Sequence, residues 1–301
     1  MSIDFSGIWL PIVTPFTSRE GEAIDHASLA RLARHYVEAG IAGFVACATT
    51  GEGALLDDAE QAAVFATLRA AAPGVPIVLG LSHSATRGAV ARARELAALA
   101  PDGLLVTPPT YVRPTQDGIR RHFEAVVQAA DLPVLVYNIP YRTGVNIELD
   151  TLKALAEDAR VAGIKECGGS IDRMMRLVHE TPLRVFSGDD NQNFAALCVG
   201  AHGAIASAAH LFPEWHVRAY RCVHQGDWAG ARRIAVALQP LVRVLFEEPN
   251  PAPVKAALAA QERCADGLRL PFVPASEGLR ARMRGVIEAV EAGLRGIEGG
   301  V

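Results

Sequence analysis

Lysine is nearly absent from this chain: of its 29 basic residues only Lys153, Lys165 and Lys255 are lysines. Positive charge is not in excess either, since 33 acidic residues leave a formal net charge of −4 and the arginines are scattered along the sequence. That balance excludes the electrostatic footprint of a nucleic-acid or anionic-membrane partner. Cysteine is sparse and odd in number (47, 167, 198, 222, 264), with no Cys-x-x-Cys pair. A disulfide framework and a cysteine zinc site are thereby excluded, no metal is implied, and reduced thiols in a cytoplasmic protein are expected. No apolar run reaches the roughly 18 residues of a membrane span. The start, Met1–Ser6, has no basic segment followed by an apolar core, so no export signal is expected. Nor does a Gly-x-Gly-x-x-Gly turn follow the first apolar run, which continues into Thr14-Pro-Phe-Thr17; the usual mark of a dinucleotide-binding sheet is missing.

What is present is alternation. Short apolar runs at Ile8–Val13, Gly43–Ala48, Pro76–Leu81, Gly103–Thr107, Pro133–Tyr137, Ala162–Glu166, Arg184–Ser187 and Gly203–Ala206 read as strands buried on both faces. Between and after them, amphipathic alanine-rich stretches read as helices: 28–39, 58–72, 85–100, 116–130, 149–156, 172–179, 192–199 and 213–224. Eight βα units in about 220 residues predict an α/β fold, a closed (β/α)8 TIM barrel, over an open doubly wound sheet. The barrel is expected to occupy residues 1–225. Residues 226–301, where strand signals stop, read as three helices (227–247, 251–263, 276–295) appended to it.

One of the three lysines, Lys165, lies inside the sixth apolar run, Val161-Ala-Gly-Ile-Lys-Glu-Cys167. Burying an ammonium costs several kcal/mol, so such a lysine is expected to be paired, deprotonated or functional. A desolvated amine is the ordinary nucleophile for an imine with a carbonyl substrate. A strand-end lysine whose head reaches water is the alternative. In a (β/α)8 barrel the active site forms where the strands end. Those ends carry Thr49-Thr50-Gly51-Glu52, Tyr111, Tyr137-Asn138, Arg142, Lys165 and Ser187-Gly188-Asp189-Asp190. An amine that makes an imine, hydroxyls that relay protons, a Thr-Thr-Gly turn whose N–H groups suit a carboxylate, and an arginine fork for a second carboxylate form one coherent set.

Taken with Tyr137-Asn-Ile-Pro140, Arg142-Thr-Gly144, Gly163-Ile-Lys-Glu166, His202-Gly203 and Glu248-Pro-Asn-Pro-Ala-Pro-Val-Lys255, these motifs resemble, over almost the whole chain, the dihydrodipicolinate synthase / N-acetylneuraminate lyase family, on its synthase side. The resemblance implies a class I lyase that condenses pyruvate with L-aspartate 4-semialdehyde to 4-hydroxy-tetrahydrodipicolinate in lysine biosynthesis. No cofactor is implied beyond a covalent Schiff base of pyruvate on Lys165. Tyr137, Thr49 and Tyr111 would relay protons, Tyr111 reaching in from a neighbouring subunit of a homotetramer. Thr50 and the backbone around Ile205 would hold the pyruvate carboxylate, Arg142 would hold that of the aldehyde, and Gly188 would be a backbone contact. The alternative is a paralogous aldolase for sugar acids or hydroxy-oxo acids; Arg142 speaks for the small carboxylated aldehyde. A non-catalytic metabolite sensor would need neither an amine nor a relay.

Other groups read as structural: helix caps for Asp189 and Asp190, packing for Cys167, and an ion pair or cap for Lys255, read as lying in the Pro-rich link between helices. His83, His202 and His210 also read as structural, and Thr49 and Thr50 have helix capping as their bland role. The chain departs from feedback-regulated members at Gly53, Asp58, Gln61, Ser84, Gly88 and Thr110; Gly88 stands where a glutamate would meet the ammonium of lysine. Free lysine at sub-millimolar concentration is therefore expected to leave turnover unchanged in a dose-response measurement.

Overall fold

The computed structural model describes residues 3–18 and 21–298. Met1 and Ser2 of the expected start, and the last three residues of the expected C-terminal region, lie outside the described residues. Eight strands occur in order: β1 Gly7–Pro11, β2 Gly43–Ala46, β3 Ile77–Leu81, β4 Gly103–Val106, β5 Val134–Asn138, β6 Val161–Glu166, β7 Arg184–Ser187 and β8 Gly203–Ile205. They close into a barrel in sequence order, and the paired strands are parallel. Nearly every strand residue is buried, which is why the strands read as unbroken apolar runs rather than as alternating ones.

The helices are α1 His26–Glu38, α2 Asp58–Ala71, α3 Thr86–Ala98, α4 Gln116–Ala130, α5 Pro140–Thr143, α6 Leu149–Leu155, α7 Ile171–Glu180, α8 Asn193–Cys198, α9 Pro213–His224, α10 Trp228–Leu245, α11 Ala252–Ala260 and α12 Glu277–Glu298. Their starts follow local chemistry. Asp57 and Glu60 form a reciprocal capping box at α2, and Asp25, Thr115, Ser170 and Asp227 cap α1, α4, α7 and α10. The cap of α2 is thus Asp57, not Thr49 or Thr50.

Three differences from the sequence reading have local causes. β2 stops at Ala46 because Cys47 takes a left-handed φ of 54°, which turns the chain out of the sheet. β1 stops at Pro11, and the Val13 N–H is given to His210 Nε2 at 3.1 Å instead of to a strand. Lys255 lies within α11, not in a link between helices.

By compactness the chain divides into two units, Met1–Gly7 with Pro76–Ile205 and Ile8–Val75 with Ala206–Val301. In the first, β3 to β8 carry α3 to α8. In the second, β1 and β2 are joined by α1, and α9 to α12 complete the unit. There Gly43 lies against Trp9, whose ring stands where a β-carbon would be, 2.6 Å away, so only glycine opens this strand. Among the described residues no helix is long and apolar enough to cross a membrane.

Three buried histidines, His122, His210 and His216, are held neutral by burial, with pKa values lowered from 6.5 to about 4; His83 adds to the effect at His122. Because the unfolded chain binds a proton at each site between those values, stability is complete above about pH 6.5. It falls as pH drops towards 4, by about 1.4 kcal/mol per pH unit for each histidine. Urea unfolding across that range is expected to show this slope, and His216→Gln to remove one proton from it.

Candidate active site

The ends of β5 to β7 set Lys165 beside Tyr137. Strand register makes Tyr137 the neighbour of Lys165, and Lys165 the neighbour of Phe186. Tyr137 and Lys165 are each only 4% exposed, and Lys165 Nζ lies 4.4 Å from the centroid of the Tyr137 ring. Gly188 gives the lysine its room. A β-carbon there would fall 2.8 Å from Lys165 Cε, 2.9 Å from its Cγ and 2.3 Å from Cys167 Sγ, so any side chain would displace the amine. Asp189, half-buried, accepts bonds from the Cys167 thiol and the Gly169 N–H. Burial pushes its carboxyl up, and the charge of Lys165 pulls it back. The expected capping by Asp189 is absent: its side chain makes no bond to the short 3-10 turn Asp190–Gln192 that follows. Cys167 does more than pack, since its thiol is one of the groups that hold Asp189; burial pushes that thiol up.

On the opposite face of the same strand ends lies a polar cluster that the sequence reading missed. Glu166 is buried, accepts from Asn138 Nδ2 at 2.8 Å, and pairs with Arg173 Nε at 3.0 Å. Arg173 also donates to Ile147 O at 2.6 Å, and Asn138 Oδ1 accepts from the Ile147 N–H at 3.1 Å. Burial raises the Glu166 carboxyl, opposed by Arg173 and Asn138. The signal for this cluster was present in strand periodicity: Glu166 follows Lys165 and must face the other way, into the helices, where a carboxylate needs partners.

Arg142 is exposed on α5, a four-residue helix opened by Pro140 and closed by Gly144 at φ 77°, and its guanidinium stacks 5.8 Å from the Tyr141 ring. Ile205 ends β8 fully buried. Tyr111 stands apart. It has φ 72° in the loop after β4, its side chain is 92% exposed, and the structure does not bring it to the Lys165–Tyr137 pair.

In the second unit, the chain beyond β2 forms a tight turn, with Glu52 N–H on Thr49 O at 3.2 Å and Gly53 N–H on Ala48 O at 3.1 Å. Thr49 is half-buried at its start. Thr50 is buried; its hydroxyl accepts from Asn250 Nδ2 at 2.8 Å and bonds Ser207 Oγ at 3.0 Å. Ser207 is fixed in turn by His210, whose Nδ1 bonds the Ser207 carbonyl at 2.8 Å while its Nε2 accepts from Val13. Behind the turn Glu52 accepts from Lys255 Nζ and, at 3.1 Å, from the Arg269 N–H. Both members of the Glu52–Lys255 pair are fully buried. Lys255 also donates to Gly267 O at 2.8 Å and sits over the Phe16 ring at 4.2 Å. Its expected structural pairing is therefore met. Burial lowers its pKa and Glu52 resists that. Among the described residues no cluster of three His, Cys, Asp or Glu side chains could hold a metal.

The profile of the dihydrodipicolinate synthetase family matches residues 4–290. The chain belongs to that family. It is 37% identical, over 96% of its length and 97% of the relative's, to the 4-hydroxy-tetrahydrodipicolinate synthase of Sorangium cellulosum. The solved 4-hydroxy-tetrahydrodipicolinate synthase of Methylacidiphilum fumariolicum superposes with a TM-score of 0.94 at 35% identity, covering 98% of this chain and 99% of that one. A dihydrodipicolinate synthase variant described as monomeric superposes with a TM-score of 0.92 at 32% identity, covering 96% and 98%.

In this member of the dihydrodipicolinate synthetase family, the buried Glu52–Lys255 pair holds the Thr-Thr-Gly turn. Lys255→Met leaves the Glu52 carboxylate buried with no counter-ion, and is expected to lower stability in urea by about 3–5 kcal/mol. Adding Glu52→Gln to it should restore part of that loss, which a double-mutant cycle measures.

Proposed function

We propose that this protein condenses pyruvate with L-aspartate 4-semialdehyde to 4-hydroxy-tetrahydrodipicolinate, with Lys165 as the nucleophile. The observation that carries the reading is the buried Lys165 amine set against the Tyr137 ring where β5 and β6 end. The names of its relatives support the synthase over a lyase for sugar acids.

The Lys165 amine adds to the pyruvate ketone, forming a C–N bond, and the carbinolamine loses water to give the imine. The imine withdraws electrons from the adjacent methyl group, which loses a proton to become an enamine. The enamine carbon attacks the aldehyde carbon, forming the new C–C bond, and the alkoxide takes up a proton. The amine of the aspartate semialdehyde moiety then adds to the imine carbon, closes the ring and displaces Lys165. One water is released overall, and no group outside the chain and its substrates is consumed.

Each proton transfer needs a hydroxyl within reach, and Tyr137 is the one at the amine. Thr49 and Tyr111 are the further members of the proposed relay. The near-complete exposure of the Tyr111 ring supports its insertion into a neighbouring subunit, and with it a homotetramer. Thr50 supports pyruvate carboxylate binding: its hydroxyl accepts from Asn250, so its proton is available to Ser207 or to substrate. The backbone at Ile205 completes that subsite, Gly188 keeps the amine's path open, and the exposed guanidinium of Arg142 suits the carboxylate of the incoming aldehyde bidentately. The free thiols, three of them buried, fit a reducing cytoplasm.

The test is condensation coupled to a downstream NADPH-dependent reductase. Turnover with both substrates, its loss in Lys165→Ala, and borohydride trapping of pyruvate on the wild type but not on the variant are the expected results. Trapping without turnover would keep the imine chemistry and move the acceptor to another aldehyde.

A further inference from the structure

The second compact unit contains a cavity of about 540 Å³, lined by α1, the start of α9, the end of α11 and α12. It uses none of the residues assigned above to the reaction. Its apolar wall includes Trp215 and Leu294, both buried, with Phe212 and Ile287 beside them. The volume is that of an ordinary small-molecule site, and the lining is mixed, five apolar residues against eight polar or charged ones.

Arg263 is the anomaly. The left-handed residue Glu262 (φ 55°) and a bond from its own N–H to Leu258 O at 3.0 Å turn it towards the cavity it lines. Among the described residues it is the one half-buried arginine with no hydrogen-bonded or ion-paired partner for its guanidinium. Elsewhere the chain pairs such arginines closely: Arg173 with Glu166, Arg269 with Glu60, Arg280 with Asp266. Half-buried and without a counter-ion in the chain, this guanidinium is available to an anion that enters the cavity. A second unmet group stands at the same cavity, since His35 Nε2 is buried with no partner; burial, and after it the charge of Arg263, lower the pKa of that ring.

The other charges of the lining decide what kind of anion fits. Glu291 is paired with Arg295, and Glu298 lies 4.0 Å from Arg218. Glu214, exposed in the first turn of α9, has no partner among the described residues. Setting those internal pairs aside, one positive and one negative group remain uncompensated. A phosphate or dicarboxylate would bring more negative charge than the one free guanidinium balances, beside the unpaired Glu214. A zwitterion satisfies both free groups and adds no net charge.

We infer that this cavity is a second ligand site and that it binds a free amino acid with an apolar side chain, its carboxylate on Arg263, its ammonium on Glu214 and its side chain on the Phe212–Trp215–Leu294 wall. Isothermal titration of the wild-type protein with L-leucine and L-phenylalanine is the test, with N-acetyl-L-leucine and L-leucine methyl ester as probes lacking one charge each. Saturable binding of at least one of the two amino acids is expected. Each blocked analogue should bind about tenfold or more weakly, a loss of about 1.4 kcal/mol. Arg263→Gln and, as a surface change that leaves the core intact, Glu214→Gln should weaken the amino acid to a similar degree, while pyruvate condensation continues. No saturable binding by either amino acid overturns the inference. So does binding that survives both substitutions, and so does N-acetyl-L-leucine binding as well as L-leucine, which would make this a simple anion site.

Discussion

The ion pair between Lys255 and Glu52 is the constraint on which the Thr49–Thr50 turn of the second unit depends. Both groups are withdrawn from water, at a desolvation cost that cancels much of their mutual attraction. The remaining balance comes from the Gly267 carbonyl, the Arg269 N–H and the face of Phe16. These partners come from the strand-turn region near the start and from the helical region near the end of the chain. The pair therefore ties α11 to the turn that carries Thr49 and Thr50. Asn250, just before α11, then reaches the Thr50 hydroxyl, and Ser207 meets it from the other side. α11 and the residues flanking it are part of how the turn is held.

The first unit reaches the same end by strand alternation. Tyr137 and Lys165 are paired in register and face one way; Asn138 and Glu166, one residue on, are also paired in register and face the other. The inward residues carry the proposed chemistry. The outward ones, locked with Arg173 and the Ile147 backbone, fix the strand ends from which the inward ones project. Gly188 on the next strand end completes the arrangement by having no side chain. The groups proposed to react and those that support them thus occupy adjacent positions on the same strands.

Much of this was legible without coordinates, and for physical reasons. Parallel strands buried on both faces must be apolar throughout, so all eight strands could be located, most within two residues of their ends. Lys165 stood out because an ammonium inside a buried strand must be paired, deprotonated or functional, and the chain has only two other lysines. Helix starts were legible where Asp, Thr or Ser precedes a periodic run. What was not legible has reasons as well. α5 is too short to show a period and begins at a proline. The end of β2 turns on a left-handed cysteine that no propensity favours. The capping expected of Asp189 failed because Lys165, Cys167 and Gly169 engage its carboxylate instead.

The sequence by itself determined the element order, the closed barrel and the family, and singled out the lysine proposed as nucleophile, because each follows from local pattern or from a residue type that a buried strand seldom holds. Tertiary structure alone decided the partners. Glu52 with Lys255, Thr50 with Asn250 and Ser207, and the unpaired guanidinium of Arg263 beside the buried nitrogen of His35 join or strand groups that lie some 160 to 230 positions apart in the chain. No periodicity extends over that distance; only the folded chain determines which buried charge finds a partner and which is left for a ligand to meet.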